Sequence, residues 1–121
     1  MMYRELIRKV QEYSGFSDAE SQDALHLLVE ILAVQLPEQL RRQLASELPE
    51  ELEDVVLHAE ADETQSSQEI LAYNMDLQGI DERHAVRQIK TAWAALEDAL
   101  SDDEVEVIKA QLPADTAALL A

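Results

Sequence analysis

Cysteine is absent from the 121 residues, so disulfides, thiolate metal sites and cysteine nucleophiles are excluded. Glycine is nearly absent, at two residues, which leaves the backbone almost no place to approach a phosphate closely. No P-loop, dinucleotide fingerprint or Gly-x-Ser-x-Gly elbow occurs. Aromatic residues make up 4%, few platforms for stacked bases or sugars. Basic residues are scarce: nine Lys and Arg stand against 26 Asp and Glu, a formal charge of -17. Binding a duplex means replacing condensed counterions with Lys and Arg, so this excess of acid opposes nucleic acid. It equally opposes anionic membrane surfaces. No apolar run approaches the roughly 20 residues a membrane span needs. The first nine residues contain no uninterrupted apolar stretch, so no secretory leader is expected and the cytoplasm is the expected compartment.

What is present is hydrophobic residue in helical spacing. The hydrophobic content is 47%, enough to argue against disorder despite the charge, and the length suits one compact unit. Tyr3, Leu6, Ile7, Val10 and Tyr13 form one stripe, and Leu25, Leu28, Leu32 and Leu36 a second. Ile70, Leu71 and Leu77, then Ile89, Ala92, Leu96 and Leu100, form two more. These are the intervals of helices, with no sign of strand alternation.

The same punctuation occurs twice. Shifting the sequence by 64 residues lays Gly15 on Gly79, Leu48-Pro49 on Leu112-Pro113, Leu32 on Leu96 and Leu36 on Leu100. Glycine at 15 and 79 suits a left-handed helix terminus. Ser17-Asp18-Ala19-Glu20 reads as a capping box, with Ser17 as cap and Glu20 reaching back, and Asp81 takes the matching cap. Ser101-Asp102-Asp103-Glu104 reads as a further capping box, and Pro37 as a first-turn residue. The expected fold is therefore all-α: a helical bundle of two pseudo-repeats, each of about three to four helices. The division is one helical domain, 1–121, with repeat one at 2–57, an acidic link at 58–65 and repeat two at 66–121. Two copies are too few for a solenoid, so the repeats should pack on each other. The link is the expected site of mobility or proteolysis. Charge is spread over both halves, without an acidic tail.

This pattern resembles the bacterial "domain of unknown function 2267" family. The residues that carry the resemblance are Tyr3-Arg4-Glu5-Leu6-Ile7-Arg8-Lys9-Val10, the Gly15-Phe16-Ser17 turn, the Leu-rich second helix and Glu47-Leu48-Pro49-Glu50-Glu51-Leu52. Gly79-Ile80 and Gln111-Leu112-Pro113-Ala114 echo it in the second half. The resemblance implies a small all-helical bacterial protein and brings no catalytic residues. The second half departs from the first at Asn74 and Glu104, which stand where Val10 and Leu40 stand.

Candidate chemistry is sparse. Asp54, His58 and Asp62 are spaced i, i+4, i+8 and would share one helix face, where two carboxylates and an imidazole suit a divalent ion. Glu60 and Glu63 add charge beside them. The plainer reading is a solvated acidic linker. His26 lacks the further ligands zinc needs, and His84 reads as a solvated residue in a first helical turn. Neither glycine falls where an EF-hand loop requires one, and Asp102, Asp103, Glu104 and Glu106 read as acids suited to a helix N-terminus. Arg83, Arg87 and Lys90 form a basic stripe that could dock an acidic segment or a phosphate, against the simpler reading of pairing with the protein's own acids. Asn74 reads as a helix-contact amide with its hydrogen bonds met, or as a polar residue fixing register with a second subunit. Trp93 and Tyr73 read as core-edge or interface anchors.

The sequence thus points to a non-enzymatic protein–protein interaction module with no cofactor. Its expected partner is a protein, basic in character, or a second copy of itself. The alternative is a metal-binding sensor or enzyme built on Asp54, His58 and Asp62.

Overall fold

The computed structural model describes residues 1–58 and 66–121, and among these residues there are eight α-helices and no strand. They are α1 (Tyr3–Ser14), α2 (Asp18–Gln35), α3 (Glu38–Glu47), α4 (Glu50–His58), α5 (Ser67–Gln78), α6 (Glu82–Ala99), α7 (Asp102–Gln111) and α8 (Ala114–Leu120). The bounds of α5, α6 and α7 each lie 64 residues beyond those of α1, α2 and α3. The acidic link after His58 lies outside the described residues.

The helix ends follow the local chemistry. Gly15 and Gly79 adopt φ of 76° and 69°, and their N–H groups donate to the carbonyls of Gln11 and Met75 at 2.7 and 2.8 Å. This satisfies carbonyls that the helix end would leave unpaired. The hydroxyls of Ser17, Ser66 and Ser101 and the carboxylate of Asp81 accept from backbone N–H groups three residues on. Among these four caps, Ser101 and Glu104 alone complete a reciprocal box. Pro37 is the N-cap of α3, one place ahead of the first turn, and its carbonyl accepts from the N–H of Arg41 at 2.9 Å.

The centre of the bundle is α2 against α6. Helix α1 packs on α6 and α5 packs on α2, so each half lays its first helix across the other half's long helix. Helix α4 covers α2 and α8 covers α6. The single Leu stripe expected on α2 is too narrow. Leu25, Leu27, Leu28, Val29, Ile31, Leu32 and Ala33 are all buried, because neighbours enclose α2 on several sides. Helix α6 buries Ala85, Ile89, Ala92, Trp93, Ala95 and Leu96, so Trp93 belongs to the core.

Two more expectations are corrected. Leu77 is 70% exposed: α5 turns Ile70, Leu71 and Asn74 inward, and at its end Gln78, not Leu77, reaches α6. Tyr13 is likewise exposed at the end of α1, where its hydroxyl donates to Asp98. Buried Asn74 gives its amide to the Ile70 carbonyl at 2.8 Å, which meets one of its hydrogen bonds within its own helix. Buried Ser67 and Thr116 pair their hydroxyls between α5 and α8.

Candidate functional site

Two polar arrangements stand out. The first is where α2 and α6 begin. Glu20 and His84 are each the third residue of their helix, and their side chains meet. Glu20 therefore does not close the capping box its spacing suggests; its carboxylate turns across to the other half. It also accepts from the amide of Gln88 at 2.9 Å. Gln88 is fully buried and exchanges hydrogen bonds with Gln78 of α5 at 2.9 and 3.2 Å. Burial alone would raise the Glu20 pKa; the hydrogen bonds from His84 and Gln88 and the nearby charge of Arg87 together bring it below the ordinary value.

His84 is consequently not a freely solvated residue. Its ring lies 5.7 Å from that of Phe16, and its Nε2 faces Glu20. Arg87 lies over the same ring: its guanidinium is 4.9 Å from the Phe16 centroid and donates to the Ser14 carbonyl at 2.9 Å. That carbonyl closes α1, where a cation suits the helix dipole. The whole group fastens the α1–α2 turn to the start of α6. Its carboxylate and imidazole hold each other.

The expected basic stripe is thereby divided. Arg87 is committed to Ser14 and Phe16, Lys90 donates to the Ala121 carbonyl, and Arg83 is exposed. The metal set is placed only in part. Asp54 is exposed on α4, whereas the side chain of His58 and the residues Glu60, Asp62 and Glu63 lie outside the described residues. Among the described residues no three carboxylates or imidazoles are grouped to hold an ion. His26 is exposed, with Nε2 3.4 Å from the Tyr3 hydroxyl.

The second arrangement is a cleft of about 160 Å³ between α3 and α7. Leu40, Leu44, Val107 and Ile108 supply its apolar lining, and Gln43, Glu47, Asp103 and Glu104 its polar one. The carboxyls of Glu47 and Glu104 meet across it in a side-chain hydrogen bond. The hydrogen bond to Glu104, with burial and like-charge repulsion, pushes the Glu47 carboxyl up to about 7. Glu104 is held below the ordinary value by the hydrogen bond from Glu47 and a second from Ser101, at 2.8 Å. Below neutral pH, then, Glu47 donates and Glu104 accepts, and the two titrate as a pair.

Sequence reasoning singled out neither Glu47 nor Glu20 for such a role. One signal was available: Glu104 replaces the apolar residue of the first half, Leu40, and both line this cleft. A larger cleft, about 400 Å³, lies between α1 and α6, but it mixes Arg8 and Lys9 with Glu5, Glu12 and Asp98, and Lys9 already lies 3.8 Å from Asp98.

No described helix is long and apolar enough to cross a membrane. No curated protein and no solved structure matches the chain. A family model, that of an uncharacterised conserved protein (DUF2267), matches residues 3–119, and the chain belongs to that family.

Proposed function

We propose that the protein is a non-enzymatic interaction module that takes a basic protein partner in the cytoplasm. One observation carries this reading: the surplus of carboxylates cannot be absorbed within the chain. Nine cations face 26 acids, and the cations are already partly committed. Arg4 pairs with Asp18, Lys9 with Glu12 and Asp98, and Arg42 with Glu38. Arg87 and Lys90 bind backbone carbonyls. The remaining acid is spread over both halves, and exposed apolar side chains such as Tyr73 and Val107 lie among it. Such a surface attracts a cationic partner and speeds encounter at low salt. It disfavours nucleic acid and anionic lipid.

The test is capture from a lysate at low salt, followed by elution at high salt and reconstitution with each purified candidate. The expected result is a basic protein that binds one-to-one or two-to-one, with affinity falling steeply as salt rises. Recovery of the protein alone, as a stable oligomer insensitive to salt, would refute the basic-partner reading.

A further inference from the structure

We infer that the cleft between α3 and α7 is the docking groove for a basic amphipathic helix of the partner, which lays its apolar face on Leu40, Leu44, Val107 and Ile108 and places an Arg or Lys between Glu47 and Glu104. This inference rests on the interaction-module reading and names its site and the chemistry of its occupant. The cleft is apolar along its floor and acidic at its edge. Leu44 and Ile108 are buried beneath it, while Val107 is 46% exposed. An exposed apolar residue flanked by carboxylates suits helix-in-groove recognition, in which a few anchors at i, i+3 or i+4 and i+7 supply the contact.

Charge fixes the kind of occupant. The titratable groups lining the cleft are Glu47 from α3 and Asp103 and Glu104 from α7; among the described residues its lining holds no Lys, Arg or His. Without a partner, the carboxyls of Glu47 and Glu104 are hydrogen-bonded to each other, which requires a proton on one of them. A guanidinium can take that place and bind both carboxylates at once, which an acidic or neutral helix cannot do. Docking therefore expels the proton wherever the free pair still holds it. An acidic segment, by contrast, would meet repulsion from all three carboxyls. A second copy of this chain is a poor occupant for the same reason, since its own net charge is -17.

The probe is a synthetic helical peptide of about five turns, with Leu at i, i+4 and i+7 and Arg on both flanks of that stripe. A companion peptide carries Glu in place of every Arg. Two single substitutions, each adding one positive charge at an exposed site, separate the groove from the general field. Val107→Arg lies in the cleft, and Tyr73→Arg lies on α5. The thermal melt of each variant verifies folding. The basic peptide should bind and the acidic one should not. Val107→Arg should weaken binding about tenfold or more, and Tyr73→Arg only about twofold. Calorimetry in buffers of different ionisation enthalpy should find roughly one proton released at about pH 6 and almost none at about pH 8. Glu47→Gln should abolish that release.

Equal weakening by the two Arg substitutions, or proton release unchanged in Glu47→Gln, would overturn the groove and leave the acidic module standing. Failure of the basic peptide to bind, while a basic protein is captured and reconstituted, would also overturn only the groove. Failure of both peptide and protein would overturn the module reading itself. A dimer in the unmodified protein that Val107→Arg dissociates would overturn the basic occupant in favour of a second copy.

Discussion

Glu20 and His84 stand 64 residues apart, at the same place in two helices, and touch each other. Each is the third residue after its cap, where a first-turn side chain ordinarily turns back on its own helix. Here the packing of α2 on α6 brings the two positions together, so each finds a partner in the other half. Buried Gln88 joins them by donating to the same carboxylate. A contact between the halves is thus built from residues whose local spacing advertises only a helix start.

The contact makes a prediction about acid. The folded-state pKa of Glu20 lies below its ordinary value of 4.5. Its stabilising contribution is therefore complete above that value and lost as pH falls through the depressed one. Glu20→Gln keeps an acceptor for Gln88 but removes the charge. Urea titrations from about pH 6 to about pH 3 should show a shallower loss of stability in the variant than in the unmodified protein. Parallel pH profiles would show that Glu20 is not a source of the acid sensitivity. Glu20→Ala should cost more, about 1 kcal/mol at neutral pH, because the Gln88 amide loses an acceptor.

Glu47 works in the opposite sense. Its carboxyl is raised from 4.5 to about 7 in the folded protein, through the hydrogen bond to Glu104 and burial. Between those values the folded state holds a proton that the unfolded state has lost, so this contribution to stability declines as pH rises through that window. Glu47→Gln keeps a donor for Glu104 at every pH. The variant should be the more stable protein at about pH 8, with the difference narrowing at about pH 5. Thermal melts across the window give the answer. A variant equally stabilised or equally destabilised at both ends would mean that the pair does not share a proton.

The helices were legible because their signals are local. Capping residues at Ser17, Asp81 and Ser101, the two glycines and the Leu-rich periodicity all act within a few residues of themselves. What was not legible depends on partners far along the chain. Glu20 looked like half of a capping box because Ser17 does cap the helix; the pull of His84 comes from 64 residues away. Leu77 carries the right spacing for the core, yet nothing in its own helix reveals that the neighbouring helices leave it exposed. Arg83, Arg87 and Lys90 share a face by spacing, but two of them are drawn to carbonyls at Ser14 and Ala121. The Glu47–Glu104 pair arises from two helices that sequence alone does not bring together.

The contrast between Leu32 and Leu77 is directly measurable. Leu32 is fully enclosed in α2, whereas Leu77 is largely exposed on α5. Leu32→Ala should destabilise by about 2–5 kcal/mol, the cost of lost burial plus a cavity. Leu77→Ala should change stability by less than about 0.5 kcal/mol. Chemical denaturation, followed by the fluorescence of the buried single Trp93, reports both. A large loss in Leu77→Ala would place that side chain in a packed environment, contrary to this fold.

Ser21 offers the reverse test, a substitution that should stabilise. It follows Glu20 on α2 and is fully buried, and its hydroxyl has no hydrogen-bond partner among the described residues. A buried hydroxyl left unpaired carries the cost of its lost hydration with no compensation. Serine in a helix interior is also less favourable than alanine, because its hydroxyl competes with the backbone. The corresponding place in α6 is occupied by Ala85, also fully buried, so an alanine fits a site of this kind. Ser21→Ala removes one small atom and creates at most a small void. Its net effect should be a gain of about 1 kcal/mol, seen as a higher denaturation midpoint at unchanged m value. A loss of similar size would show that the hydroxyl is bonded in solution.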